Sequence, residues 1–148
     1  MIPCGPADDG FDAPYWEGLR SGELRIQRCA GCRTWLWGPR RMCPNCHGFE
    51  LAWESVPAEG TVYTWCRTHH PYMEEFADSA PYTTVVVELP QAGGVRLLGL
   101  LTGDGPDVRI GDALTGHVER PADAEWPLLR WRRAATPARA DAREGAPA

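Results

Sequence analysis

Cys29-Ala-Gly-Cys32 and Cys43-Pro-Asn-Cys46 decide how the rest of this chain is read. Each pair bends back within one tight turn, for which Gly31 and Pro44 are suited. The two sulfurs of each turn then point at a common centre. Two such turns brought together give the sulfur tetrahedron that Zn²⁺ takes in closed structural sites. The expected metal ligands are therefore Cys29, Cys32, Cys43 and Cys46, holding one structural zinc. A four-sulfur iron site has the same geometry and stays open as the other metal. Two disulfides, or a redox C-x-x-C, are the non-metal alternative. His47, directly after the last Cys, is a competing nitrogen donor.

Upstream, residues 1–11 contain Pro, Gly and the pair Asp8-Asp9 and read as a flexible N-terminus. Asp12 can cap a short helix with Pro14 in its first turn. Tyr15, Trp16 and Leu19 share one face of that helix, and Gly22 stops it. So short a helix does not stand alone. Its Tyr-Trp face must dock either on this chain's own ribbon or on a partner protein. Leu24 and Ile26 alternate with polar residues, which makes Glu23 to Arg28 a strand into the first knuckle. Thr34 to Trp37 is a strand out of it, Gly38 to Arg41 a turn, and Phe49 to Glu54 a third strand. Residues 12–55 are thus a helix and a zinc ribbon, in which metal replaces a core that so few residues cannot supply.

From Val56 the strands lengthen. Gly60–Thr68, Thr83–Leu89, Val95–Leu101, Ala113–Glu119 and Trp126–Arg132 are rich in β-branched and aromatic residues. Pro90 to Gly94 is a hairpin turn. His69 to Ala80 is a long connection, and Asp107 to Asp112 a short helical link. Five strands with these connections over 56–133 describe a small Greek-key barrel of the OB kind. Residues 134–148 are Ala-rich without an apolar period and read as a disordered tail. The fold class is mainly β: an N-terminal helix, a zinc ribbon, then a five-stranded OB barrel.

The chain has 148 residues, 43% of them hydrophobic, enough for a modest core. No leader pattern and no apolar run of membrane-spanning length is present. The expected setting is cytoplasmic and reducing, which suits thiolate–metal chemistry. Cys66 lies in an apolar strand pattern and is expected to be a small buried hydrophobe; Cys4 has no reading. All 15 basic residues are Arg, against 20 acids. They are unevenly spread: residues 20–41 carry six Arg and one acid, whereas residues 50–125 carry thirteen acids and four Arg. The basic ribbon is either a solvated surface or a phosphate-contacting face at Arg28, Arg33, Arg40 and Arg41, where planar donor forks suit phosphate. An acidic barrel argues against the alternative of a single-stranded nucleic-acid module, which needs a positive groove lined with stacking aromatics.

Trp16 with Gly22-Glu23-Leu24, the two Cys pairs, Pro39-Arg40, Gly60-Thr61-Val62-Tyr63-Thr64, His70-Pro71, Pro81-Tyr82 and Gly111-Asp112 carry a family resemblance. Together they resemble the zinc-ribbon/OB-fold proteins associated with acyl-CoA enzymes, a family long catalogued as a domain of unknown function. The resemblance covers about residues 12–132. It implies a rubredoxin-like ribbon followed by an OB barrel. It also implies a separately encoded partner: commonly a thiolase-fold thiolase, aldolase or acyltransferase, alternatively a hot-dog-fold enoyl-CoA hydratase. The implied role is a non-catalytic zinc-binding accessory subunit in a hetero-oligomer, with acyl-CoA at the shared interface and its phosphates on the ribbon arginines. Tyr15, Trp16, His69 and His70 are the expected partner contacts, and no catalytic residue is assigned. The His69-His70 pair departs from the family's single His before Pro. The remaining enzymatic reading places acid–base chemistry on His69, His70, Glu74, Glu75 and Asp78 of the long connection. No nucleophile motif accompanies it.

Overall fold

The structure, a computed structural model, describes residues 5–103, 107–122 and 124–134, without the side chain of Glu75. Cys4 and the tail residues 135–148 lie outside the described residues. The chain opens with α1 (Ala13–Arg20), followed by β1 (Leu24–Cys29), β2 (Trp35–Leu36) and β3 (Leu51–Val56). These strands form an antiparallel sheet in the order β2-β1-β3. Then come β4 (Glu59–Thr68), β5 (Tyr82–Leu89), β6 (Val95–Leu101), β7 (Ala113–Glu119) and β8 (Leu128–Arg133). They close into a barrel in the order β4-β5-β6-β8-β7, with β7 pairing back onto β4. Only β6 and β8 run parallel. The molecule is mainly β, a zinc ribbon followed by a five-stranded OB barrel, as the sequence implies.

Alternation explains the barrel interior. Along β5, Thr83, Val85, Val87 and Leu89 are buried while the residues between them face outward. Leu97 and Leu101 from β6, Leu114 from β7 and Trp131 from β8 complete the core. Trp131 is wholly buried, and its ring packs closely over two glycines, Gly99 of β6 and Gly116 of β7. A Cβ on Gly99 would lie 2.6 Å from its ring, and one on Gly116 would lie 3.2 Å from it. Leu24 and Ile26 of β1 belong to the same cluster, so ribbon and barrel share one core.

Helix α1 ends as expected, with a hydrogen-bonding detail that composition alone does not reveal. Gly22 has φ +80°, its N–H donates to the Leu19 carbonyl at 3.0 Å, and the Glu23 N–H donates to Gly18 at 2.8 Å. This paired closure satisfies the last carbonyls of the helix. The start of the helix differs from expectation. Asp12 makes no side-chain capping bond to a backbone N–H of the first turn. Its carboxylate instead accepts from the Trp16 indole at 2.9 Å and from the Ala7 N–H at 2.8 Å. That second bond, with Gly10 N–H to Ala7 and Phe11 N–H to Asp9, folds residues 7–12 into a turn where a flexible segment was expected.

Three further expectations change. Trp126 precedes β8 and does not lie in it: it packs edge-on against Trp16, with ring centroids 6.2 Å apart, and lies under the Arg20 guanidinium at 3.5 Å. Pro127 between them has no N–H to give a ladder. The link at 108–112 is a turn closed by Asp112, whose carboxylate accepts from the Arg109 N–H at 2.9 Å. Cys66 is exposed. The register slips by one between Val62 and Thr64, so the outer end of β4 leaves the core, and residues 63–66 all face solvent.

Candidate metal centre and flanking arginines

The two knuckles are built alike. In each, the residue after the second Cys turns left-handed: Arg33 has φ 63° and His47 has φ 59°. Its N–H returns to the carbonyl of the first Cys, Arg33 to Cys29 at 3.0 Å and His47 to Cys43 at 2.9 Å. The N–H of the first Cys then donates onward, from Cys29 to Thr34 and from Cys43 to Gly48, both at 2.9 Å. β1 carries Cys29 into the first knuckle, and its pairing with β2 and β3 clamps that knuckle on both sides.

The four sulfurs lie within 4.8 Å of one another. The closest contacts cross between knuckles: Cys29 to Cys46 and Cys32 to Cys43, each at 3.5 Å. The thiols are free, and the nearest sulfur of each lies across the gap between the knuckles, so the four converge on one centre as a shared metal requires. A zinc tetrahedron with Zn–S near 2.3 Å has sulfur–sulfur edges of about 3.8 Å. The observed set fits it. His47 is exposed and stands outside the sulfur cluster.

The chemistry of the donors points the same way. The Thr34 hydroxyl, 3.1 Å from Cys32 Sγ, and next the Asn45 amide hold the Cys32 thiol down at about 5. At Cys46 the Gly48 N–H works in the same direction. The Cys32 and Cys29 sulfurs outweigh it and push that thiol up to about 11. Four sulfurs this close resist common ionisation. A bound dication removes that resistance, since the thiolate is the ligating form.

The four arginines expected to contact phosphate fall into two groups, Arg28 with Arg33 and Arg40 with Arg41. Arg28 pairs with Glu54 at 3.0 Å, lies over Trp35 at 4.3 Å and donates through Nε to the Arg33 carbonyl at 2.9 Å. Arg33 reaches the other oxygen of Glu54 at 3.1 Å. Glu54 is held below the usual carboxylate range, first by its hydrogen bond from Arg28. Arg40 and Arg41 sit elsewhere, beside Phe11, Phe49 and Trp53. Strand alternation separates the pairs, because Arg28 and Gln27 point to opposite faces of the sheet.

Tyr15 and Trp16 pack within the chain. Tyr15 lies 5.1 Å from Trp37 and 5.3 Å from Trp16, both edge-on, and burial pushes its phenol up to about 12. The helix face thus docks on its own molecule. Both residues also border an apolar cavity of about 460 Å³ against the outer face of β5, β6 and β8. His69 and His70 are exposed on the connection after β4, as are Glu74 and Asp78. No hydrogen bond or ion pair joins these four among the described residues. Gln27 escaped sequence reasoning. Its place between Ile26 and Arg28 reads as an outward strand position, yet it is buried and clamps the Arg40 backbone. Nothing in local sequence signals that clamp, since its partner is thirteen residues away.

A rubredoxin-like ribbon fused through a shared core to an OB barrel defines the class of protein, and family matching agrees. The ChsH2 rubredoxin-like zinc ribbon domain matches residues 16–52, and the ChsH2 C-terminal OB-fold domain matches residues 53–119. The chain belongs to this ChsH2 (DUF35) family. It is 32% identical to a chain of the solved Ltp2-ChsH2(DUF35) aldolase, covering 87% of this chain and 98% of that one with a TM-score of 0.76. It is 38% identical over 109 residues to a probable enoyl-CoA hydratase alpha subunit of Thermomonospora curvata, covering 72% of this chain. It is 31% identical over 142 residues to the 3-oxo-4,17-pregnadiene-20-carboxyl-CoA hydratase alpha subunit of Mycobacterium tuberculosis, covering 88% of this chain. The chain spans only 32% and 39% of the lengths of those two relatives. No helix among the described residues is long and apolar enough to cross a membrane.

Proposed function

We propose that this chain is a non-catalytic accessory subunit that binds and supports a thiolase-fold enzyme acting on acyl-CoA or related acyl substrates. The observation that carries the reading is the match, over nearly the whole of that chain, to the ChsH2(DUF35) component of an aldolase. The site agrees with it. Closed four-sulfur zinc leaves no open coordination position for substrate, so the metal acts as a staple and supplies no Lewis acid. Among the described residues, His69, His70, Glu74 and Asp78 are exposed and share no hydrogen bond or ion pair. A reducing, cytoplasmic compartment would keep the four thiols available to the metal.

The test is co-expression with the thiolase-like enzyme encoded beside this chain. The pair is expected to co-purify as a hetero-oligomer and to turn over an acyl-CoA substrate, while the isolated chain does not. Robust thiolase, aldolase or hydratase turnover by the isolated chain sinks the proposal. A second reading, support of a hot-dog-fold enoyl-CoA hydratase, rests on the names of the two hydratase relatives. It is favoured if the co-purifying protein is a hydratase subunit.

A further inference from the structure

The three-stranded sheet has two unlike faces. Leu24 and Ile26 on one face enter the barrel core. On the other, Gln27 and Trp53 are cross-strand neighbours. Above them an open groove of about 460 Å³ runs between the turn at Gly10 and Phe11 and the loop at Arg40 and Arg41, with Leu51 and Phe49 along it.

Three features together mark this groove. First, its arginines have no acid. Arg25, Arg28, Arg33, Arg96, Arg130 and Arg133 each have a carboxylate within 3.4 Å. Among the described residues, Arg40 and Arg41 have none within the 4.0 Å of an ion pair, as is also true of Arg20, Arg67, Arg109, Arg120 and Arg132, but they are adjacent and line one groove. The acids flanking Phe11 are engaged within the turn: Asp9 accepts from the Phe11 N–H at 3.1 Å, and Asp12 accepts from the Ala7 N–H and the Trp16 indole. Second, the arginines are held in place. Gln27, 5% exposed, donates to the Arg40 carbonyl at 3.1 Å and accepts from the Arg40 N–H at 2.9 Å. Arg41 lies 4.0 Å over the Phe11 ring. Third, the groove exposes large apolar surface: Phe49, which lines it, is 75% exposed, and Met42, next to Arg41 in the chain, is 41% exposed.

We propose that this groove docks an acidic segment of the partner subunit. Carboxylates of that segment meet Arg40 and Arg41, and an apolar side chain packs against Phe49, Leu51 and Trp53. The inference rests on the accessory-subunit reading above. Charge complementarity selects the occupant: two guanidinium groups on a loop whose backbone is anchored, without counter-charges, attract carboxylates and speed encounter. Arginine beside exposed aromatics is also the composition of interface centres. A phosphate ester would need donors converging on one point. Here Arg40 and Arg41 line the groove together with Phe49, Leu51 and Trp53, so charge and apolar surface are offered side by side.

The test uses the full chain and the enzyme encoded beside it. Arg40→Glu/Arg41→Glu is expected to weaken the complex by about tenfold or more at roughly physiological salt, with the loss shrinking at high salt. Arg40→Gln/Arg41→Gln provides a milder second variant. Zinc content and melting temperature confirm that both fold. With p-benzoylphenylalanine at position 49, irradiation is expected to cross-link a partner peptide carrying at least two Asp or Glu. Wild-type affinity in both double variants overturns the inference, as does a cross-link into a neutral or basic segment. So does a result in which partner binding is kept but affinity for adenosine 3′,5′-bisphosphate is lost, which would assign the pair to a phosphate ester. A wild-type chain that binds no neighbouring enzyme sinks the accessory-subunit reading itself.

Discussion

Arg33 and His47 show how much a single position can hide. Both occupy left-handed backbone, at φ 63° and 59°, where glycine is at ease and an L side chain is strained by about 1–2 kcal/mol. Arg33 at least gains an ion pair with Glu54 from this position. His47 is exposed and has no such partner among the described residues. His47→Gly is therefore expected to raise stability by about 1 kcal/mol and to leave one zinc per chain. Melting temperature and metal analysis check it, and loss of zinc would make His47 a ligand. Glu54 makes the second residue-scale prediction. Its folded pKa lies below the ordinary 4.5, with the Arg28 hydrogen bond as the leading cause. A depressed carboxylate contributes stability above its unfolded pKa and loses it as pH falls through the folded value. Glu54→Gln should therefore lower the melting temperature at neutral pH, and the gap to wild type should close on acidification. A gap that persists unchanged at acid pH would show that packing matters here and ionisation does not. The sequence announced the four Cys outright, because spacing alone encodes a knuckle. It could not announce Gln27 or Glu54, whose partners arrive from other strands.

At the scale of elements, alternation and turn chemistry made most strands legible. β5 reads off its own sequence, since every second residue is apolar or small and buried. Legibility failed where tertiary contacts overrule local pattern. Cys66 is exposed because a register slip carries the end of β4 off the core. Trp126 leaves its expected strand because Arg20 and Trp16 of α1 give its ring a better seat. Trp131 remains, and it sets a demand on its neighbours. Its ring closes the barrel between β6 and β7, packed closely over two glycines. Gly99→Ala would put a methyl 2.6 Å from Cδ1 and 2.8 Å from Nε1 of a side chain with no room to move. The overpacking is expected to cost about 1–3 kcal/mol, read as a lower urea midpoint at unchanged slope. Wild-type stability in that variant would mean that the wall of the barrel yields more readily than its closed pairing suggests.

Across the whole molecule, the shared core decides how zinc and barrel are coupled. β1 ends in Cys29, a zinc ligand, and begins with Leu24 and Ile26, which are buried among barrel residues. Trp35 of β2 and Val56 of β3 pack against the same cluster. A ribbon that loses its metal therefore withdraws side chains from the barrel's core. Metal binding and folding free energy are one quantity in such small units. Chelation of zinc, or Cys43→Ser at a fully buried ligand, is accordingly expected to lower the melting temperature of the barrel as well as to unfold the ribbon. The wild-type chain should melt in a single transition whose midpoint follows free zinc concentration. Near-ultraviolet signals of Trp131 in the barrel and Trp37 in the ribbon should be lost together. Two separated transitions, with the barrel's midpoint indifferent to chelator, would show that Leu24 and Ile26 add little and that the two parts fold alone. Coupling also bears on function: a platform that carries Arg40 and Arg41 stays rigid only while zinc and barrel hold β1 from both ends.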